Sequence, residues 1–420
     1  MQSHHLTRRH FLAASAASLA MPAIARNARA ADTIRIGFVT PLTGPLSFFS
    51  EHHDFVVDYF QKFTKGVVRS NGKEVPFELV VKDSQSNANR ASEVAQELIN
   101  DDVVIMIANA APETCNPVSD QCELNGVPCI TSDCPIEPWF EGRGGDPAKG
   151  FDYTYHFSFD ALSQAKTFSA TWDKLETNKI VGGLWPNDGD GQTYARIYKE
   201  ILGPRGYTVV DPGRFDLPVG SYSSQIAAFM EGKVEIVVGV LPPPEFTTFW
   251  NTAAQQNFRP KIVTIGKALE LPPAVGPLGA RALGLSTDAT WSPLFPFTSA
   301  FTGATSRQIA EAYETASGRQ SSFPLGGRFA LMETMFDVLS RANDIRDREA
   351  VRDALKATDY DSITGKIRFG KGSLPNVCST PIVTTQWKKG SKWPIELATV
   401  GNEGYPQVPV SSELSVIAYA

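Results

Sequence analysis

Histidine, metal-spaced cysteine pairs, surplus positive charge and long apolar runs are all scarce in this chain of 420 residues, and each scarcity narrows what it can do. Beyond residue 30 the histidines are His52, His53 and His156, which lack ligand spacing. The five cysteines include no Cys-x-x-Cys, so no zinc site is expected. Neither a Gly-x-Ser-x-Gly elbow nor a Gly-x-x-x-x-Gly-Lys-Ser/Thr phosphate loop occurs. Gly142-Arg143-Gly144-Gly145 is glycine-rich but precedes a strand instead of following one, which suits a surface loop. Glu51-His52-His53 opens a helical stretch and needs only solvation. No catalytic role and no cofactor are therefore expected. A formal charge of −6 offers phosphates no basic face, which excludes a nucleic-acid partner. No run beyond the N-terminus is long and apolar enough to span a bilayer, so direct membrane insertion is not expected.

What is present begins with an address. Thr7-Arg8-Arg9-His10-Phe11-Leu12 leads into an Ala-rich apolar run over 11–25, interrupted by Pro22, and Ala28-Arg29-Ala30 places small residues before a cleavage point at Ala31. Charged, apolar and small-residue regions in that order make a signal peptide over 1–30, and the paired arginines resemble a twin-arginine signal. No cysteine stands at the cleavage point, so no lipid anchor is expected there. Loss of Arg8, Arg9, Arg26 and Arg29 leaves a mature charge of about −10, a clearly acidic protein. The expected location is the periplasm or another extracytoplasmic space.

The remaining chain alternates strand-length apolar runs with amphipathic stretches. Strands are predicted at 34–40, 77–83, 103–108, 128–132 and 153–159, then at 179–185, 207–210, 234–241 and 261–266. In the stretch 87–100, Ala91, Val94, Ala95, Leu98 and Ile99 recur at helical spacing. Continuous apolar strands separated by helices predict α/β architecture with parallel sheets covered on both faces. Two such series imply two Rossmann-like lobes: residues 31–157 with about 287–358, and 158–286 with about 359–420. Further helices are predicted at 306–317, 325–342 and 348–358, and strands at 361–369 and 381–387.

In open α/β sheets, ligands bind beyond the carboxyl ends of the strands. The loops there supply aromatic surface from Phe48, Phe49 and Trp185, carboxylates from Glu113, Asp133, Asp188, Asp190 and Glu245, and one cation, Lys267. Rings to bury an apolar part and charges to hold polar ends suit an amino acid, an amide or a small carboxylate. Asp133, Asp188 and Asp190 fit helix N-caps equally well.

Ile34-Arg35-Ile36-Gly37-Phe38-Val39-Thr40-Pro41-Leu42-Thr43-Gly44-Pro45 resembles the opening of the branched-chain amino acid (Leu/Ile/Val-type) periplasmic binding proteins. Asp83-Ser84-Gln85-Ser86, Val118-Ser119-Asp120, Gly126-Val127-Pro128 and Trp185-Pro186-Asn187-Asp188-Gly189-Asp190-Gly191 follow in that family's order. The resemblance implies a type I periplasmic binding fold with a three-strand hinge and a small solute held between the lobes. It implies an ABC permease as partner, or alternatively a membrane receptor fed by a sensing lobe; a monomer is expected. Carried over position by position, it places the first-lobe pocket on Ala111, Glu113 and Thr114, where Thr114 is the only hydroxyl left. The following loop falls on Ser132 and Asp133, and the aromatic wall on Phe49. The family's second-lobe aromatic falls near Asp190, and its amine-binding acid near Lys267. A lysine there favours a carboxylate-bearing solute as much as a branched-chain amino acid.

Export makes disulfides possible. Cys115 and Cys122 on one helix would lie about 10 Å apart along its axis, too far to bridge. Cys115 with Cys134 would join neighbouring strand-end loops and is the expected pair, with Cys378 remote.

Overall fold

The computed structural model describes residues 33–372 and 374–419, so the expected signal peptide lies outside the described residues. β1 (Ile34–Thr40) shows why the sheets need two covers. Ile34, Ile36 and Phe38 bury in one cluster with the long helix Phe323–Arg341, while Val39 buries in another with helix Ala88–Asn100. A strand apolar on both faces is stable only between two helical layers. The apolar stripe of helix Ala88–Asn100 (Ala91, Val94, Ala95, Leu98, Ile99) is its buried face.

β2 (Val67–Ser70), β3 (Lys73–Asp83), β4 (Ile105–Asn109), β5 (Cys129–Ser132) and β6 (Thr154–Ser158) join β1 in the first sheet. β7 (Ile180–Leu184), β8 (Thr208–Val210), β9 (Ile236–Leu241), β10 (Ile262–Lys267) and β11 (Ser286–Ala289) build the second. The chain then returns through a hairpin of β12 (Asp359–Ser362) and β13 (Gly365–Arg368), through β14 (Val377–Ser379), and through β15 (Val383–Lys389) and β16 (Ile395–Gly401). The first sheet runs β14-β6-β5-β4-β1-β3-β2, parallel except for β2. The second runs β16-β15-β11-β10-β9-β7-β8, with β15 antiparallel to both its neighbours. These are two α/β lobes, and the chain crosses between them after β6, after β11 and after β14. Among the described residues, no helix is long and apolar enough to cross a membrane.

The crossings fall at other places than expected. β11 stays in the second sheet, although 287 onward was assigned to the first lobe. Residues 359–379, assigned to the second lobe, belong to the first: β14 pairs with β6, and Ile363, Ile367 and Phe369 join the core beneath helix Phe323–Arg341. The run at 361–369 is a hairpin, not one strand, and Glu333 of that helix anchors it. Tyr360 Oη donates to Glu333 Oε2 at 3.0 Å and the Ile363 N–H to Oε1 at 2.7 Å. Burial pushes the Glu333 carboxyl up to about 8, against those hydrogen bonds.

Helix Phe323–Arg341 also seats the second crossing. Trp291 lies on Gly326 so closely that a Cβ there would fall 2.1 Å from Trp291 Cγ. Gly326→Ala should therefore lower the unfolding free energy by about 1–3 kcal/mol through overpacking. Urea unfolding checks this: the midpoint should drop with an unchanged slope, and an unchanged midpoint would mean the indole yields freely.

Candidate functional site

At the carboxyl ends of β4, β5 and β10, three non-glycine residues adopt left-handed backbone: Ala110 (φ 115), Asp133 (φ 76) and Lys267 (φ 63). Such conformations cost about 1–3 kcal/mol each and persist only where the surroundings fix them. All three line one narrow space between the lobes, walled by Phe49, Phe159, Tyr194 and Phe323. Its volume is about 20 Å³, room for one water-sized group. Glu270 and Phe323 border both it and a neighbouring 390 Å³ cavity.

The first-lobe wall hangs on Arg328, whose side chain has no exposed surface. Its guanidinium donates to His53 Nδ1 (2.7 Å), Thr40 Oγ1 (3.0 Å), the Phe49 carbonyl (3.1 Å) and Ser50 Oγ (3.1 Å). Thr40 Oγ1 donates onward to Asn109 Oδ1 at 3.0 Å, and Asn109 Nδ2 donates to Asp133 Oδ2 at 2.8 Å. A buried cation is thus wired to the carboxylate at the cleft. Burial still pushes Asp133 up to about 6, the Asn109 bond and the Arg328 charge opposing it only in part. His52 and His53 are buried, not solvated as expected; burial first and Arg328 second pull both down to about 3, so they are neutral.

The second-lobe wall centres on Lys267, whose Nζ meets Asp190 Oδ2 at 2.6 Å. Burial pushes Asp190 up to about 6 although Lys267 opposes it. Burial pulls the Lys267 ammonium down, but Asp190, Glu113 and Asp188 outweigh it, so the group stays charged. Glu270 accepts the Lys267 N–H at 2.6 Å and is hydrogen-bonded to Asp288. Burial and the Asp288 charge raise Glu270 well above the carboxylate range, and burial pushes Asp288 up to about 6. Two buried carboxyls in contact hold a proton between them.

The residues singled out from sequence divide accordingly. Phe49, Asp133, Asp190 and Lys267 line the cleft. Phe48 packs on Phe49 at 4.6 Å, and Ala111 shares their cluster with Phe323. Glu113 is half-buried on the first lobe and its charge acts on Lys267 and Asp190 across the gap. Asp188 is the N-cap of helix Gly189–Leu202, accepting the Gly191 N–H at 2.7 Å. Ser132 is buried at the end of β5, and Thr114 turns inward to Ser84 Oγ at 3.2 Å.

Two residues lie elsewhere. Trp185 folds under helix Gly189–Leu202 between Tyr194 and Tyr198, in space that Gly183 leaves open: a Cβ at 183 would stand 2.2 Å from the indole nitrogen. Glu245 clamps the 219–222 loop, accepting the Val219 N–H at 3.1 Å and Tyr222 Oη at 2.9 Å. The expected disulfide is not formed: Cys115 and Cys134 are free thiols in one apolar cluster. Cys115 Sγ donates to the Ser132 carbonyl and Cys134 Sγ lies 3.8 Å from His156 Nε2. Glu270 and Asp288 escaped sequence reading, the first in a short turn after β10, the second inside β11, a strand of four residues with a buried acid in it.

Comparison with known proteins follows the same geometry. The chain belongs to the periplasmic binding protein family, whose pattern matches residues 33–392. A leucine-, isoleucine-, valine-, threonine- and alanine-binding protein of Pseudomonas aeruginosa is 22% identical over 368 residues, 86% of this chain and 92% of that one. Among solved structures, a leucine-binding protein of Thermotoga maritima superposes with TM-score 0.72 at 18% identity, covering 88% of this chain and 99% of that one. An ABC-transporter solute-binding protein of Rhodopseudomonas palustris, in complex with 3,4-dihydroxybenzoic acid, gives 0.69 at 17% identity over 91% and 98%. The fold is therefore the type I periplasmic binding fold.

Asp133 sets a pH dependence. Its carboxyl stands near 6 when folded against an ordinary 3.8, so its stabilising share is full below about 3.8 and is lost as pH rises through 6. Asp133→Asn should gain on the wild type by up to about 3 kcal/mol between pH 4 and 7. Chemical unfolding across that range checks it, and parallel pH profiles would contradict it.

Proposed function

We propose that the chain is the extracytoplasmic solute-binding component of an ABC importer. It is exported by the twin-arginine-type signal at 1–30, acts as a monomer and catalyses nothing. A small amino acid, amide or carboxylate docks on the first-lobe wall of Phe49 and Asp133. The second lobe, with Asp190, Lys267 and Glu270, then closes over it about the three crossings, and the closed form is what a permease recognises. The observation that carries this reading is the burial of ionisable side chains from both lobes against one another at the strand ends. Ligands of this architecture sit at that place, and groups so arranged serve recognition better than stability.

The names of relatives support the solute class: amino acids for the Pseudomonas protein, an aromatic acid for the Rhodopseudomonas one. Lys267 no longer argues for a carboxylate, because Asp190 already neutralises it. A thermal-shift panel of amino acids, amides, aromatic acids and amines tests the reading on the mature protein. A solute at 100 times its Kd should add about 2.7 kcal/mol of stability. Silence across the whole panel would remove the capture role.

A further inference from the structure

We infer that the captured solute presents a cationic nitrogen to the cleft, as a primary amine or amidine without a free carboxylate does, and that Asp133 and Asp190 are its counter-charges from the two lobes. This rests on the solute-capture reading and revises its solute class, keeping amino-acid amides and replacing free acids with amines and amidines.

The charge inventory of the facing walls carries the argument. The first lobe contributes Asp133 and the nearby Glu113; the second contributes Asp190, Glu270 and Asp288. Lys267 is the only cation among the residues lining the narrow space, and its ammonium is engaged by Asp190. Arg328 stands behind the wall, its two terminal nitrogens bonded to His53, Thr40, Phe49 and Ser50 and its Nε buried without a partner. With one proton held by Glu270 and Asp288 together, and Lys267 set against Asp190, negative charge remains in excess on both walls.

Unmet acceptors point the same way. Asp190 has no exposed surface and lines the space, yet its Oδ1 has no hydrogen-bond partner. Asp288, at 3% exposure, borders the adjoining cavity, but its carboxyl is already engaged by Glu270. A carboxylate oxygen buried without a donor is costly. An alkylammonium brings three donors and an amidinium a planar fork of them, whereas a carboxylate brings none and adds repulsion. The walls of Phe49, Phe323 and Tyr194 complete the environment, since ring faces attract cations.

The test uses sets that share a skeleton and differ in charge: leucinamide, leucine and 4-methylpentanoate; benzylamine, benzyl alcohol and benzoate; putrescine and succinate. Each is titrated calorimetrically and by thermal shift into the mature protein at pH 7.5. Amine members without a carboxylate should bind, and their neutral and anionic partners should not. Asp133→Asn should weaken the best amine by about tenfold or more, without lowering the ligand-free melting temperature. Should that variant misfold, Glu113→Gln on the half-buried rim takes its place, with a smaller loss in the same direction. Leucine or an acid binding as tightly as its amine counterpart overturns the inference and leaves solute capture standing. Unaltered amine affinity in either folded variant also overturns it. No binding by any member, whatever its charge, overturns both.

Discussion

A guanidinium shut away from water holds the first lobe in shape. Arg328 ties the end of β1 through Thr40, the 47–50 turn through Phe49 and Ser50, and the first turn of helix His53–Thr64 through His53. Burial pulls it only to about 10, helped back by Asp133 and Asp54, so it stays protonated at neutral pH. A buried cation tolerates little displacement of its acceptors, because each lost hydrogen bond exposes the full cost of desolvation. Through Thr40 and Asn109 that rigidity reaches Asp133, which holds its left-handed backbone at the end of this chain of bonds. The aromatic wall, the strained strand end and the cleft carboxylate all take their positions from one side chain in the long helix.

The second lobe solves the same problem by different means. Lys267 is itself at the cleft, and its left-handed turn lets the backbone N–H reach Glu270 while the side chain reaches Asp190. One residue therefore orients two acids, and the pairing of Glu270 with Asp288 fixes a third. The first lobe keeps its cation behind the wall, the second keeps it in the wall, and both present carboxyl groups to the gap.

Much of this was legible because strand ends are easy to find. Ile34–Thr40 and Ser306–Ser317 coincide with the predicted elements, and the rule that ligands lie beyond strand ends led directly to Phe49, Asp133, Asp190 and Lys267. What failed was anything set by tertiary partners. Trp185 reads as a cleft aromatic until Gly183 and the rings of Tyr194 and Tyr198 draw it inward. Lys267 reads as a free cation because its partner is 77 positions away in the chain. Arg328 was passed over inside an apolar helical run, where a lone arginine carries no periodic signal. β14 spans three residues, too short to declare itself, so the third crossing was misplaced and 359–379 went to the wrong lobe.

The balance between rim and interior explains why such a structure is suited to capture. Across the rim, Arg196 pairs with Glu141, both about half exposed, and Lys392 pairs with Glu314, whose side chain is largely buried. An exposed pair such as Arg196–Glu141 contributes about 0–1 kcal/mol, so it aligns the lobes without locking them. Inside, Asp133, Asp190 and Asp288 are shut away from water, and the rise of all three to about 6 records that cost. Neither the rim pairs nor the aromatic contacts answer the oxygens left unpartnered in the gap. Under the proposed capture role, shutting the lobes on a poor solute would be weakly rewarded, and shutting them on one that supplies the missing donors strongly so. Under that proposal, selectivity would arise less from the shape of the cleft than from what its buried carboxyls require.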